Sequence, residues 1–252
     1  MLLFALFLCV TLSKAQNLGD YMEIDNIPGF VFYLDETGEH GLVMSYPAVS
    51  QEQAKKIDKK IKKMASKGKI PEGIPEEKIK ASERLRMAGP SKSISFKEKK
   101  KLYEDLLPLL TSDGEKNAEI IADYCKNKNI LIQDYFPNQH WASQLGNGWF
   151  IPGEKEVTLF AKFYTGGVGK EHKITGLTGF LDQGKKLSND KMVQVLLTGL
   201  ASTGILSSCM KNISGGFCGL HIVRSKSLAF SSWLVFDDQF TEVLNNVAIH
   251  KF

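Results

Sequence analysis

An α+β domain interrupted by a basic helical segment is the architecture this sequence predicts. Three observations carry it: a β-hairpin pattern near the start, helical spacings of apolar residues through the middle, and short apolar runs between turn residues in the last third.

The chain opens on Leu2 to Leu12, nearly unbroken apolar sequence, followed by Ser13-Lys14-Ala15 with small residues three and one before Gln16. This is the pattern of a cleavable export signal over residues 1–15. The run falls well short of the roughly twenty apolar residues a helix needs to cross a bilayer. No later stretch is longer or more apolar, so the expectation is an exported protein, periplasmic, cell-surface or secreted, with no transmembrane span. Cys9 follows Leu6-Phe7-Leu8 and not the small pair that lipidation requires, so a lipid anchor is not expected.

Residues 29 to 46 contain two β-branched and aromatic runs either side of Asp35-Glu36-Thr37-Gly38, which predicts a hairpin. The next segment differs in charge: residues 51 to 101 hold 17 Lys and Arg against 7 Asp and Glu, although the whole chain is only +4. Ala54, Ile57, Ile61 and Met64 recur there at helical spacing, with lysines on the other faces. Gly68, Pro71, Gly73 and Pro75 break that helix. Ser95 with Glu98 three residues on forms a capping box that opens another helix through Leu102, Leu106 and Leu107 to Pro108. Residues 51–110 are therefore expected to form a helical, lysine-rich insertion. Its bland explanation is a solvated polar face; its functional one is Lys55, Lys59, Lys62 and Lys63 set against an anionic polymer or acidic partner. Nucleic acid is not an expected partner, because the lysines lack interleaved aromatics and arginines.

Asp113 to Lys126 places Ala118, Ile121, Ala122 and Cys125 at helical spacing, Asn138 to Leu145 reads as a shorter helix, and Glu154 to Tyr164 as a third. Between the last two stands Gly146-Asn147-Gly148-Trp149-Phe150-Ile151-Pro152. From Thr203 onward, apolar runs at Ile205-Leu206, Gly219 to Val223, Ser232 to Phe236 and Val247 to Phe252 predict a terminal antiparallel sheet.

Motifs for catalysis are thin. Gly166-Gly167-Val168-Gly169-Lys170 lacks the spacing of a phosphate loop, with Tyr164 and Glu171 where Gly and Ser or Thr belong. Cys218 and His221 stand three apart, which in a strand gives them opposite faces. Cys209 and Cys218 either close a short loop or are two small buried residues; with Cys125 the exported chain holds an odd number of thiols. His40, His140, His172 and His250 are scattered, as surface or hydrogen-bonded histidines are. No metal or cofactor is expected.

Three stretches resemble a family of bacterial exported domains, largely of unassigned function, that share the C-type-lectin-like fold. They are the hairpin from Gly29 to Val43, the helix and aromatic loop from Asp113 to Pro137, and Gly146-Asn-Gly-Trp-Phe-Ile-Pro-Gly-Glu-Lys-Glu-Val157, together about half of the mature chain. The Gly-x-Gly-Trp-x-Ile-Pro element is the most specific of them, and the resemblance implies that Trp149 is a core residue. It also implies a lectin-like domain of residues 16–50 and 111–252 whose two ends meet in one sheet. The departures are Leu206 before Ser207-Ser208, where the family carries Trp, and a final strand without its usual arginine.

The function expected from these observations is non-enzymatic binding at the cell envelope, with a carbohydrate or an envelope protein as ligand. Recognition is expected in the loops near residues 165–175, 183–191 and 209–219, aided by Trp233, Asp237 and Asp238. The alternatives are an adhesion or assembly component acting through the basic insertion, and an enzyme using Cys218 and His221.

Overall fold

The computed structural model describes residues 16–46, 94–164, 187–190, 205–206, 218–222, 228–232 and 246–252. Within them the chain is α+β. A four-stranded antiparallel sheet is built from β1 (Tyr21–Ile24), β2 (Ile27–Leu34), β3 (Gly41–Ser45) and the last strand, β7 (Ile249–Lys251), in the order β1-β2-β3-β7. Among the described residues five helices lie between β3 and the second sheet: α1 (Phe96–Leu106), α2 (Gly114–Lys128), α3 (Ile132–Tyr135), α4 (Pro137–Leu145) and α5 (Glu154–Tyr164). The second sheet is a three-stranded antiparallel one, β4 (Ile205–Leu206), β5 (Cys218–Ile222) and β6 (Leu228–Ser232).

The expected hairpin is β2–β3. A strand that the pattern did not announce precedes it, because β1 turns into β2 through only Asp25 and Asn26, both at positive φ. Two such residues make the hairpin turn whose twist matches that of the flanking strands. The Val247–Phe252 run does not extend the terminal sheet: β7 crosses back to pair with β3, Val43 opposite His250, so that the two ends of the described chain share one sheet.

Both faces of this sheet are covered. Side chains alternate along a strand, and here the two sets reach different helices. Phe30, Phe32, Leu42, Met44 and Ile249 pack with Val157, Phe160, Phe163 and Tyr164 of α5. Ile27, Val31, Val43 and Ala248 pack with Trp141, Ala142 and Leu145 of α4 and with Trp149 and Ile151. A sheet buried on both sides explains why β2 and β3 read as continuous apolar runs. A bulge between Val31 and Tyr33 shifts the β2–β3 register at Phe32, so that Tyr33 stands opposite Leu42 and packs on the α5-side core with it.

Helices α1 to α3 enclose a third cluster, in which Ile94, Leu106 and Leu110 meet Ile121, Cys125, Tyr135 and Phe136. The last residues of the expected basic insertion, 94–110, are thus packed against α2. The capping box is half formed: Ser95 accepts the Glu98 amide at 3.3 Å, while the Glu98 carboxylate accepts the Tyr135 hydroxyl at 2.7 Å. Helix α2 begins at Asp113, whose carboxylate accepts the amides of Glu115 and Lys116, and ends at Asn129 in the left-handed region. Its buried stripe is Gly114, Asn117, Ile121 and Cys125; Ala122, expected inside, is exposed because the stripe drifts toward Asn117. No helix among the described residues is long and apolar enough to cross a membrane.

Candidate functional site

An open groove of about 760 Å³ lies where the tip of the β2–β3 hairpin, the first turns of α5 and the end of the chain converge. Local chemistry fixes each wall. At the hairpin tip, Asp35 Oδ1 accepts the Thr37 hydroxyl at 2.6 Å and the amides of Thr37 and Gly38 at 3.0 Å each. The Thr37 hydroxyl first, and then these amides, hold the Asp35 carboxyl below its usual range, even against desolvation. Gly38 takes the turn at φ +73°, a conformation that suits glycine.

The end of the chain forms the second wall. Gly41 and Phe252 exchange backbone hydrogen bonds at 3.1 and 3.2 Å. The Phe252 ring lies over Gly41, within 2.7 Å of where a Cβ would stand, so the absent side chain is what lets the ring settle there. Beside it Lys251 pairs with Glu115 and sits 5.8 Å from the centre of the Phe150 ring. Burial opposes the charge on Lys251, but Glu115 first, then Asp113 and Glu156, outweigh it and raise its pKa.

The third wall, α5, is anchored to the start of α2. Glu156 is buried, and its Oε2 accepts the amides of Gly153 at 2.8 Å and Gly114 at 3.0 Å. Backbones meet closely here: a Cβ on Gly114 would lie 2.5 Å from both Gly153 N and Ile151 O. Lys155 donates its amide to the Ser112 carbonyl and its ammonium to Asp113, 3.3 Å away. Burial works against the Asp113 carboxylate, yet the Lys116 amide and the charges of Lys251 and Lys155 prevail and lower its pKa.

The groove offers ammonium and hydroxyl donors from Lys155, Lys162, Ser112 and Thr158, a carboxylate acceptor from Glu154, and apolar surface from Tyr33, Leu42, Leu159 and Phe252. Such a mixture has the donors, acceptors and apolar surface with which small-ligand sites fix orientation. Among the described residues no three His, Cys, Asp or Glu side chains come together as a metal site. The Cys125 thiol is free and buried, and burial pushes its pKa up to about 11, the opposite of an activated cysteine.

The sequence-predicted sites fare differently. Trp233, Asp237, Asp238, Cys209, His172 and the lysines 55, 59, 62 and 63 lie outside the described residues, as does the expected export signal over residues 1–15. Cys218 and His221 fall on β5, opposite Ser232 and Ala229, at positions of opposite parity. Trp149 is buried in the core on the α4 side of the sheet, as its motif implied, with its ring 5.2 Å from that of His250. His250 Nε2 donates to the Asn147 carbonyl at 3.0 Å, and His140 Nε2 accepts from Gln144 at 3.0 Å. Of the described histidines only His40 lines the groove. Sequence reasoning did not single out Tyr33, Lys162 or Phe252, since each belongs to a different element and only the return of β7 brings them together. Protein-family models, curated proteins and solved structures yield no match to this chain.

Proposed function

We propose that this chain is an exported, non-enzymatic binding protein of the cell envelope, built on a C-type-lectin-like domain and recognising a carbohydrate. The observation that carries the reading is the antiparallel pairing of β7 with β3, which closes both ends of the described chain into one sheet. It is supported by the buried Trp149 of the Gly-x-Gly-Trp-x-Ile-Pro element and by the separate three-stranded sheet β4–β6. A domain closed in this way holds its loops on a fixed frame, and loops on a rigid frame are where recognition is commonly found.

The test is a screen of residues 16–252 against immobilised glycans and polyanions at low and moderate salt, beside a Lys55→Gln, Lys59→Gln, Lys62→Gln, Lys63→Gln variant. Deleting residues 51–110 would not serve, because Leu106 and Leu110 belong to the core. Glycan binding shared by both proteins supports the reading. Binding lost with salt and with the four lysines moves the function to the basic insertion and an acidic partner. No binding to any glycan or polyanion overturns the carbohydrate reading in favour of a protein ligand.

A further inference from the structure

We propose that the groove between the hairpin tip, α5 and the end of the chain is the saccharide site, and that its ligand is a neutral oligosaccharide of two or three units. The inference rests on the binding function proposed above and moves recognition away from the loops of the C-terminal half.

Size is the first argument. A groove of about 760 Å³ falls within the range of roughly 300 to 1,000 Å³ typical of small-ligand sites. Its composition is the second. Tyr33 and Phe252 supply ring surface from two walls, and a few polar groups from α5 stand beside them. A sugar presents the matching pattern, apolar C–H faces edged by hydroxyls that both donate and accept, which calls for rings with mixed donors and acceptors.

Charge decides between a neutral and an anionic ligand. At the groove Lys155 pairs with Asp113 and Lys251 with Glu115. An anion would have to compete with those carboxylates and also face Glu154 and Glu156 on the same wall.

Preorganisation is the last argument. The Asp35 turn fixes the hairpin tip, paired backbone bonds hold Phe252 to Gly41, and Glu156 ties the start of α5 to that of α2. A site whose walls are fixed before the ligand arrives loses little affinity to ordering.

The experiment titrates maltotriose, mannotriose, chitotriose and xylotriose into residues 16–252 by calorimetry, and repeats it on Tyr33→Ala, Lys162→Ala and, as a distant surface control, Lys126→Ala. Urea unfolding of each variant accompanies the titrations. The expected result is binding of at least one trisaccharide, weakened about tenfold by Tyr33→Ala and by Lys162→Ala, the loss of one anchoring contact. A loss of binding in Lys162→Ala is read as a lost contact where its unfolding midpoint matches that of the parent. Trisaccharide binding that ignores Tyr33→Ala and Lys162→Ala overturns the groove while leaving the binding function standing. No binding of any of the four overturns the ligand class, and a glycan screen that is also blank removes the function on which it rests.

Discussion

Glu156 accepts the backbone amide of Gly114 at 3.0 Å across 42 residues of sequence, and with the same oxygen the amide of Gly153 at 2.8 Å. One buried carboxylate therefore satisfies a donor at the start of α2 and another at the start of α5, where helical amides have no partner in the helix itself. Glu156→Ala leaves both amides buried without their acceptor. At about 1–3 kcal/mol for each of the two orphaned groups, a destabilisation of about 2–6 kcal/mol is expected. Urea unfolding of the parent and the variant checks it; a shift below about 1 kcal/mol, the size of an ordinary substitution, would show that the junction is not closed by this side chain.

The same junction depends on two glycines for a reason unrelated to their flexibility. A Cβ on Gly114 meets Gly153 N and Ile151 O at 2.5 Å, and one on Gly153 meets Ser112 O at 2.5 Å. These neighbours are backbone atoms and do not swing aside. Gly114→Ala and Gly153→Ala are each expected to cost about 1–3 kcal/mol through overpacking. Gly38 supplies the contrast, since a Cβ there meets nothing within 4 Å and only its φ of +73° opposes a side chain. Gly38→Ala should cost about 1–2 kcal/mol from backbone conformation alone, and Gly38→Asn less. Thermal unfolding of the four variants separates the two mechanisms.

The sequence was most legible where one residue type has one local use. Asp113 ahead of an apolar stripe announced α2, and Glu154 to Tyr164 matched α5 at both ends. Strand β1 was missed because its turn, Asp25-Asn26, lacks the glycine that marks two-residue hairpins, and positive φ is not visible in the residue names. The run from Val247 to Phe252 was legible as a strand, and the resemblance implied that the two chain ends share one sheet, but local pattern grouped the run with the terminal sheet and did not give β3 as its partner. Pairing with β3 is a contact across about two hundred residues, set by which sheet edge stands open and not by local pattern. The groove inherits that difficulty, for Phe252 reaches Tyr33 and α5 only through that pairing.

Asp113 gives the junction a pH dependence whose sign follows from its lowered pKa. A carboxyl held below its unfolded value contributes stability that is present above about pH 4, the unfolded range, and is lost as pH falls through the folded pKa. Asp113→Asn keeps a capping oxygen but loses the charge that faces Lys155 and Lys251. The stability gap between parent and variant is therefore expected to be open at neutral pH and to close as the pH drops below about 4. Urea midpoints measured at stepped pH check it, and a gap of constant width would assign the effect to capping geometry alone.

Tyr135 and Glu98 make the complementary case on the alkaline side. The Glu98 carboxylate accepts the Tyr135 hydroxyl at 2.7 Å, and this bond first, then burial, pushes the phenol up to about 12. A phenol raised above its unfolded value near 10 contributes stability that is fully present below about pH 10 and is lost as pH rises through the folded value. Tyr135→Phe should remove this contribution, at about 1 kcal/mol near neutral pH, because the carboxylate it leaves behind is exposed and regains water. In an ultraviolet absorbance titration one tyrosine of the parent should ionise near pH 12, and Tyr135→Phe should delete that step. Ionisation of Tyr135 near pH 10, the unfolded value, would mean that α1 is not held against α3 by this bond, and that residues 94–110 are secured by their apolar contacts with Ile121 and Cys125 alone.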